Sequence, residues 1–174
     1  LAYNGMEMIK EGLHATYQNG QDLKARSRMA YAAMLSGITL ANAGLGTVHG
    51  LAAELGGVSS ISHSVACGTL LGSITEATIN RLWRAVGVFE HETVKKYARI
   101  GVLFSGEDLK DIEKNSQNLI LTLHRWVEEL NMPRLASFGI TRDSLEKIAT
   151  KCPNKNNPIP LNKDQINAAL QERY

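Results

Sequence analysis

Apolar residues recur at a spacing of three to four along almost the whole chain, and this pattern constrains the fold more than any other feature. Runs of alternating β-branched and aromatic residues between turn clusters, the mark of strands, do not occur. The chain therefore reads as all-α. Leu1, Met6, Ile9 and Leu13 share one side of an opening helix that has no N-cap residue ahead of it, so the chain is expected to begin inside a larger protein. Asn19-Gly20 supplies a turn. Leu23, Met29, Ala30, Met34, Leu35 and Ile38 begin a long second helix that runs into Gly44 and Gly46.

A third helix over about residues 47–55 is expected to stop at Gly56-Gly57, where a left-handed C-cap meets no side-chain clash. Ser59, Ser60 and Ser62 offer N-caps for a helix over about 61–82. Val94, Tyr97, Ala98 and Leu103 mark another over 91–103. Ser105 with Asp108 resembles a capping box opening the helix that carries Leu109, Ile112, Leu119, Leu123, Trp126 and Leu130, which must end before Pro133. Thr141 caps a helix through Leu145 and Ile148, closed by Cys152-Pro153. Residues 154–160 are expected to form an ordered loop or extended link, and Asn162 with Gln165 caps a last helix through Ile166, Ala169 and Leu170. Residues 1–174 are thus expected to form one bundle of about seven helices, without internal repeats.

Composition excludes several functions. Lys plus Arg number 19 against 17 Asp plus Glu, with no basic concentration, so no nucleic-acid partner is implied. Every apolar run falls well short of the roughly 20 residues that span a bilayer, so no membrane partner is expected. No secretory signal is present, and a cytoplasmic location is expected. Cys67 and Cys152 lack CxxC spacing and read as small hydrophobes.

Of five histidines, only His49 and His63 lie in nearly charge-free segments of small residues. On one continuous helix, residues 14 apart would be separated by roughly 21 Å, so two such rings can share a metal only if the chain reverses between them. The Gly56-Gly57 and serine-rich stretch allows that reversal. It would place His63 in the first turn of its helix, where the positive end of the helix dipole suits a neutral ligand. Two imidazoles are an incomplete site, because a catalytic divalent metal usually has three protein ligands and an open position. His14 is a candidate third. His91, between Glu90 and Glu92, and His124, beside Arg125, read as surface positions.

Three segments carry a family resemblance: Ala43-Gly44-Leu45-Gly46-Thr47-Val48-His49-Gly50-Leu51-Ala52, Leu55-Gly56-Gly57, and His63-Ser64-Val65-Ala66-Cys67-Gly68-Thr69-Leu70-Leu71. They resemble the signature of the iron-containing (group III) alcohol dehydrogenases, including the separation of the two histidines. Lys96-Tyr97-Ala98, Met132-Pro133-Arg134-Leu135 with Phe138-Gly139-Ile140, and Asn156-Asn157-Pro158 resemble the family's C-terminal landmarks in the same order.

The resemblance implies the C-terminal helical domain of the dehydroquinate synthase-like fold, with an N-terminal dinucleotide-binding domain supplying NAD or NADP. It implies an iron or zinc ion held by an Asp and three His, with His49 and His63 as the third and fourth ligands, and an alcohol or aldehyde as substrate. Leu40 and Leu45 fall at implied substrate-pocket walls, where a core role is equally compatible. Ala53 stands where many relatives carry another histidine, and Ser62 and Ser64 replace the usual Pro and Gly. The D-x-x-x-H segment of the first two ligands is absent, since none of Asp22, Asp108, Asp111, Asp143 and Asp164 has a histidine four residues later. The family's glycine-rich pyrophosphate loop is absent too, so the chain alone is expected to be inactive. A homo-oligomer remains open. The alternatives at this stage are a non-enzymatic helical interaction module and a glycerol dehydrogenase-like relative.

Overall fold

In the computed structural model, which describes residues 1–86 and 92–174, the helical spacing becomes eight α-helices and one 3-10 turn, the all-helical class expected. α1 (Ala2–Gln18) and α2 (Leu23–Ala43) form an antiparallel hairpin. Its turn holds because the Asp22 carboxylate accepts the backbone N–H groups of Lys24 and Ala25, both at 3.0 Å, which would otherwise be orphaned at the helix start. Gly5 and Gly12, seven residues apart on α1, are buried against α2. A Cβ at Gly12 would lie 3.1 Å from the Ala25 carbonyl oxygen, so the hairpin's close approach depends on small residues.

α3 (Thr47–Val58), α4 (His63–Val86), α7 (Arg142–Lys151) and α8 (Lys163–Glu172) enclose the main core. α4 runs through the middle. Its Ala66, Leu70 and Ile74 lie one turn apart and pack with Leu51 and Leu55 of α3, Leu145 of α7 and Leu170 of α8. Leu51, Leu55, Leu70, Leu145 and Leu170 are fully buried, each worth about 1.5–3 kcal/mol relative to exposure. Farther along α4, Ile79 joins a second cluster with Leu119, Ile120 and Leu123 of α6 (Ile112–Glu129), against Tyr97 and Phe104 of α5 (Glu92–Ser105). The C-terminus is fastened by Arg173, 5% exposed, whose guanidinium donates to Thr69 Oγ1, Glu128 Oε1 and the Met132 carbonyl, each at 3.0 Å.

Two boundaries differ from expectation. α3 continues through Gly56-Gly57 to Val58, and neither glycine has positive φ, so no left-handed cap forms there. The reversal is made instead by Ser59, extended at φ −151° and ψ 172°, whose hydroxyl donates to the Leu55 carbonyl at 2.9 Å and accepts from Ile61 N–H at 3.4 Å. Ser62 Oγ then accepts the Val65 N–H at 3.4 Å and opens α4. The expected Ser105–Asp108 capping box does not form either. Ser105 ends α5, and Asp111 caps α6 by accepting the Lys114 N–H at 2.9 Å. Asp108 instead accepts from Lys110 N–H at 3.0 Å and Asn115 Nδ2 at 2.9 Å within the preceding loop. The capping boxes at Thr141–Ser144 and Asn162–Gln165 are both present. No helix among the described residues is long and apolar enough to cross a membrane. His91, and the start expected for α5 there, lie outside the described residues.

Candidate metal centre

The loop between α7 and α8 positions the strand of chain that leads into His49. Gly44 ends α2 with φ +75°, where a Cβ would collide with the Asn156 side chain. Asn156 donates from its backbone N–H to the Leu45 carbonyl at 2.8 Å and from Nδ2 to the Ala43 carbonyl at 3.0 Å. Asn154 Oδ1 accepts from Thr47 Oγ1 at 3.1 Å and from Leu161 N–H at 2.7 Å. Asn157 Nδ2 donates to Thr78 Oγ1 of α4 at 3.2 Å and to the Ile159 carbonyl at 2.8 Å. The asparagine-rich loop thus braces residues 43–47 and, through them, the first turn of α3.

On that first turn His49 meets His63, in the first turn of α4, with ring centroids 5.3 Å apart and planes inclined at 47°. The chain reversal therefore brings together two rings that a single helix would hold far apart. Burial, the neighbouring His63 and the Lys155 ammonium, in that order, lower the pKa of His49 below its ordinary value. A neutral ring with a free nitrogen lone pair is favoured, the form that binds metal.

The site holds a further donor that sequence reasoning set aside as a small hydrophobe. Cys67, one turn after His63 on α4, has its Sγ 3.5 Å from His63 Nε2. One donor atom from each of His49, His63 and Cys67 lies within 4.8 Å of the others. The signal was present in the i, i+4 spacing, which puts His63 and Cys67 on one helix face. Burial raises the pKa of the Cys67 thiol.

His49 borders two cavities. One, of about 280 Å³, lies between the α1–α2 hairpin and residues 44–46, and both Leu40 and Leu45 line it together with Met6, Ile9 and Leu35. Leu40 is 43% exposed, which excludes a core role for it, while Leu45 is half-buried. The other, of about 490 Å³, lies between α3, α4 and α5 and is lined by Val48, Cys67, Leu71, Ile74, Tyr97 and Asn157 among others.

The remaining histidines are elsewhere. His14 Nε2 is 2.9 Å from Glu129 Oε2, and its ring stands edge-on to Trp126 at 5.4 Å, so it is not brought to the pair. His124, expected at the surface, is half-buried between helices. Its Nε2 is 2.8 Å from Glu76 of α4, and its Nδ1 is 3.2 Å from Glu172 of α8. Each ring nitrogen faces a carboxylate. Glu76, His124 and Glu172 tie α4, α6 and α8 together, and their donor atoms also lie within 4.8 Å of one another.

The family described as "Fe-containing alcohol dehydrogenase family, C-terminal" matches residues 1–174. Alcohol dehydrogenase 4 of Saccharomyces cerevisiae is 32% identical over 180 residues, covering 99% of this chain and 43% of its own length. Choline dehydrogenase of Bacillus subtilis is 27% identical, covering 96% of this chain and 40% of its own. The crystal structure of 1,3-propanediol oxidoreductase superposes with a TM-score of 0.84 at 26% identity, over 98% of this chain and 44% of that one. The chain thus spans less than half the length of these relatives. With its whole length matched by that family's C-terminal region, the chain belongs to the Fe-containing alcohol dehydrogenase family.

Proposed function

We propose that this chain is the metal-binding C-terminal part of an NAD(P)-dependent alcohol dehydrogenase, with His49 and His63 supplying two of the ion's ligands. The observation that carries the reading is the meeting of these two rings, 5.3 Å apart, beside the two cavities that His49 lines. The donor set fits a divalent iron or zinc ion, since imidazole nitrogens and a thiol suit borderline metals and the lowered His49 pKa leaves a lone pair available. Such an ion, when bound, supplies Lewis acidity toward an alcohol or carbonyl oxygen.

The chain's own residues provide position and shape. Asn154 holds Thr47 in the first turn of α3, Asn156 holds the segment that leads into it, and Asn157 ties the same loop to Thr78 of α4. Leu40 and Leu45, with Met6 and Ile9, form an apolar wall of the smaller cavity, at the small end of ligand-site volumes and suited to the carbon chain of a small alcohol. No glycine-rich pyrophosphate loop occurs in these 174 residues, which match the family's C-terminal region, so NAD or NADP would be carried by a dinucleotide-binding domain joined to them. The chain alone is accordingly inactive.

The test joins this chain to such a domain and follows alcohol-dependent reduction of NAD or NADP together with metal content. His49→Ala should abolish activity and remove most of the metal. Unchanged activity and metal content in that variant would overturn the assignment.

A further inference from the structure

We propose that Cys67 is a third metal ligand, forming with His49 and His63 a His₂Cys set that holds a zinc-class ion on this chain's own residues. The proposal rests on the reading of His49 and His63 as ligands and adds a residue to it. Around a tetrahedral ion, a thiolate at about 2.3 Å and an imidazole nitrogen at about 2.0–2.1 Å stand about 3.6 Å apart. The observed separation of Cys67 Sγ from His63 Nε2 is 3.5 Å, so these two donors already have the spacing that one ion requires. Two imidazole nitrogens on the same ion stand about 3.4 Å apart. All three donors already lie within 4.8 Å of one another, at most about 1.4 Å beyond that spacing.

The placement is also suited to an open coordination position. Cys67 and His49 both line the cavity of about 490 Å³, so an ion held by three side chains would keep one face toward that space. Cys152, the other cysteine, has its sulfur directed at the Thr47 and Pro153 carbonyl oxygens, at 3.8 and 3.7 Å, and is not one of the clustered donors. On binding, the Cys67 sulfur–hydrogen bond breaks, the thiolate electron pair goes to the ion, and the proton leaves to solvent. A thiolate biases the site toward zinc and cobalt over ferrous iron.

The experiment titrates Co²⁺ into the reduced 174-residue chain and records its absorption spectrum. The expected result is a near-ultraviolet thiolate-to-cobalt charge-transfer band saturating at one ion per chain. Cys67→Ala and the closer mimic Cys67→Ser should lose that band. Their cobalt affinity should fall by more than the roughly 10- to 100-fold typical of removing a residue that only orients a ligand. They should also release one proton fewer per ion bound. Cobalt binding without the band in the unmodified chain, or a band that survives in both Cys67 variants, would overturn the proposal. His49→Ala separates the two readings. If it abolishes tight binding while the unmodified chain shows no thiolate band, Cys67 alone is misassigned. If it leaves binding unchanged, the paired histidines are misassigned as well.

Discussion

Gly50 follows the candidate ligand His49 directly, and replacing it with alanine should cost stability even though alanine is the better helix former. A Cβ there would come closer than 3.0 Å to the Pro153 carbonyl oxygen and to 3.3 Å from both Cys152 Sγ and Pro153 Cδ. The carbonyl cannot swing aside, because the adjoining Asn154 side chain is bonded to Thr47 Oγ1 at 3.1 Å and to the Leu161 carbonyl at 2.9 Å. Overpacking against such a neighbour costs about 3 kcal/mol, the upper part of the usual range, and the helix-propensity gain offsets about 1 kcal/mol, leaving a net loss of about 2 kcal/mol. Gly56 in the same helix provides the control. A Cβ there meets nothing within 4 Å, so Gly56→Ala should gain about 0.5–1 kcal/mol. With a urea slope of about 2 kcal/mol/M, the midpoints of the two variants should differ by more than about 1 M, Gly50→Ala being the lower. A Gly50→Ala midpoint equal to or above that of Gly56→Ala would refute the claim that the α3 start is packed tightly against the loop.

Two more outcomes follow from groups near the site and at the C-terminus. Burial pushes the Tyr97 hydroxyl up to about 12 from 10.0, so the neutral form is favoured in the folded state. That preference is fully present below pH of about 10 and is lost as pH rises toward 12, a change of about 3 kcal/mol. Ultraviolet titration of a Tyr97→Phe variant against the parent should show that the missing phenol is one ionising near the top of this range, and titration of Tyr97 near 10 would contradict its burial. Arg173→Ala should lower stability by about 2–4 kcal/mol in urea unfolding, since it strips the hydrogen-bond donor from Thr69 and the Met132 carbonyl inside the core. A loss under about 0.5 kcal/mol would show that water replaces the guanidinium.

Helix identity was readable because its signals are local. The capping residues Thr141 and Asn162 and the apolar faces of α4, α6 and α8 each act within a few residues of themselves. The misplaced boundaries have a common cause. Gly56-Gly57 resembles a stop, but both glycines are exposed with open space around them, and the buried Leu55 and Ile61 on either side determine where the chain turns. Likewise, Asp108 found its partners in Lys110 and Asn115, which left the cap of α6 to Asp111. The meeting of His49 with His63 was foreseeable from the need for a reversal between them. The neighbours of that pair were less so: Tyr97, Asn156 and Asn157 stood out only as landmarks of the family resemblance, and their place beside the pair, like that of Asn154 and Lys155, depends on packing between distant parts of the chain. His124 looked exposed beside Arg125, because Glu76 and Glu172 reach it only after α4, α6 and α8 have packed.

The most direct test of the paired-histidine site is anomalous diffraction at the zinc edge from crystals grown with one equivalent of zinc. A peak about 2.0–2.1 Å from a ring nitrogen of both His49 and His63 is the predicted result. A peak at Glu76, His124 and Glu172 with none between His49 and His63 would contradict it.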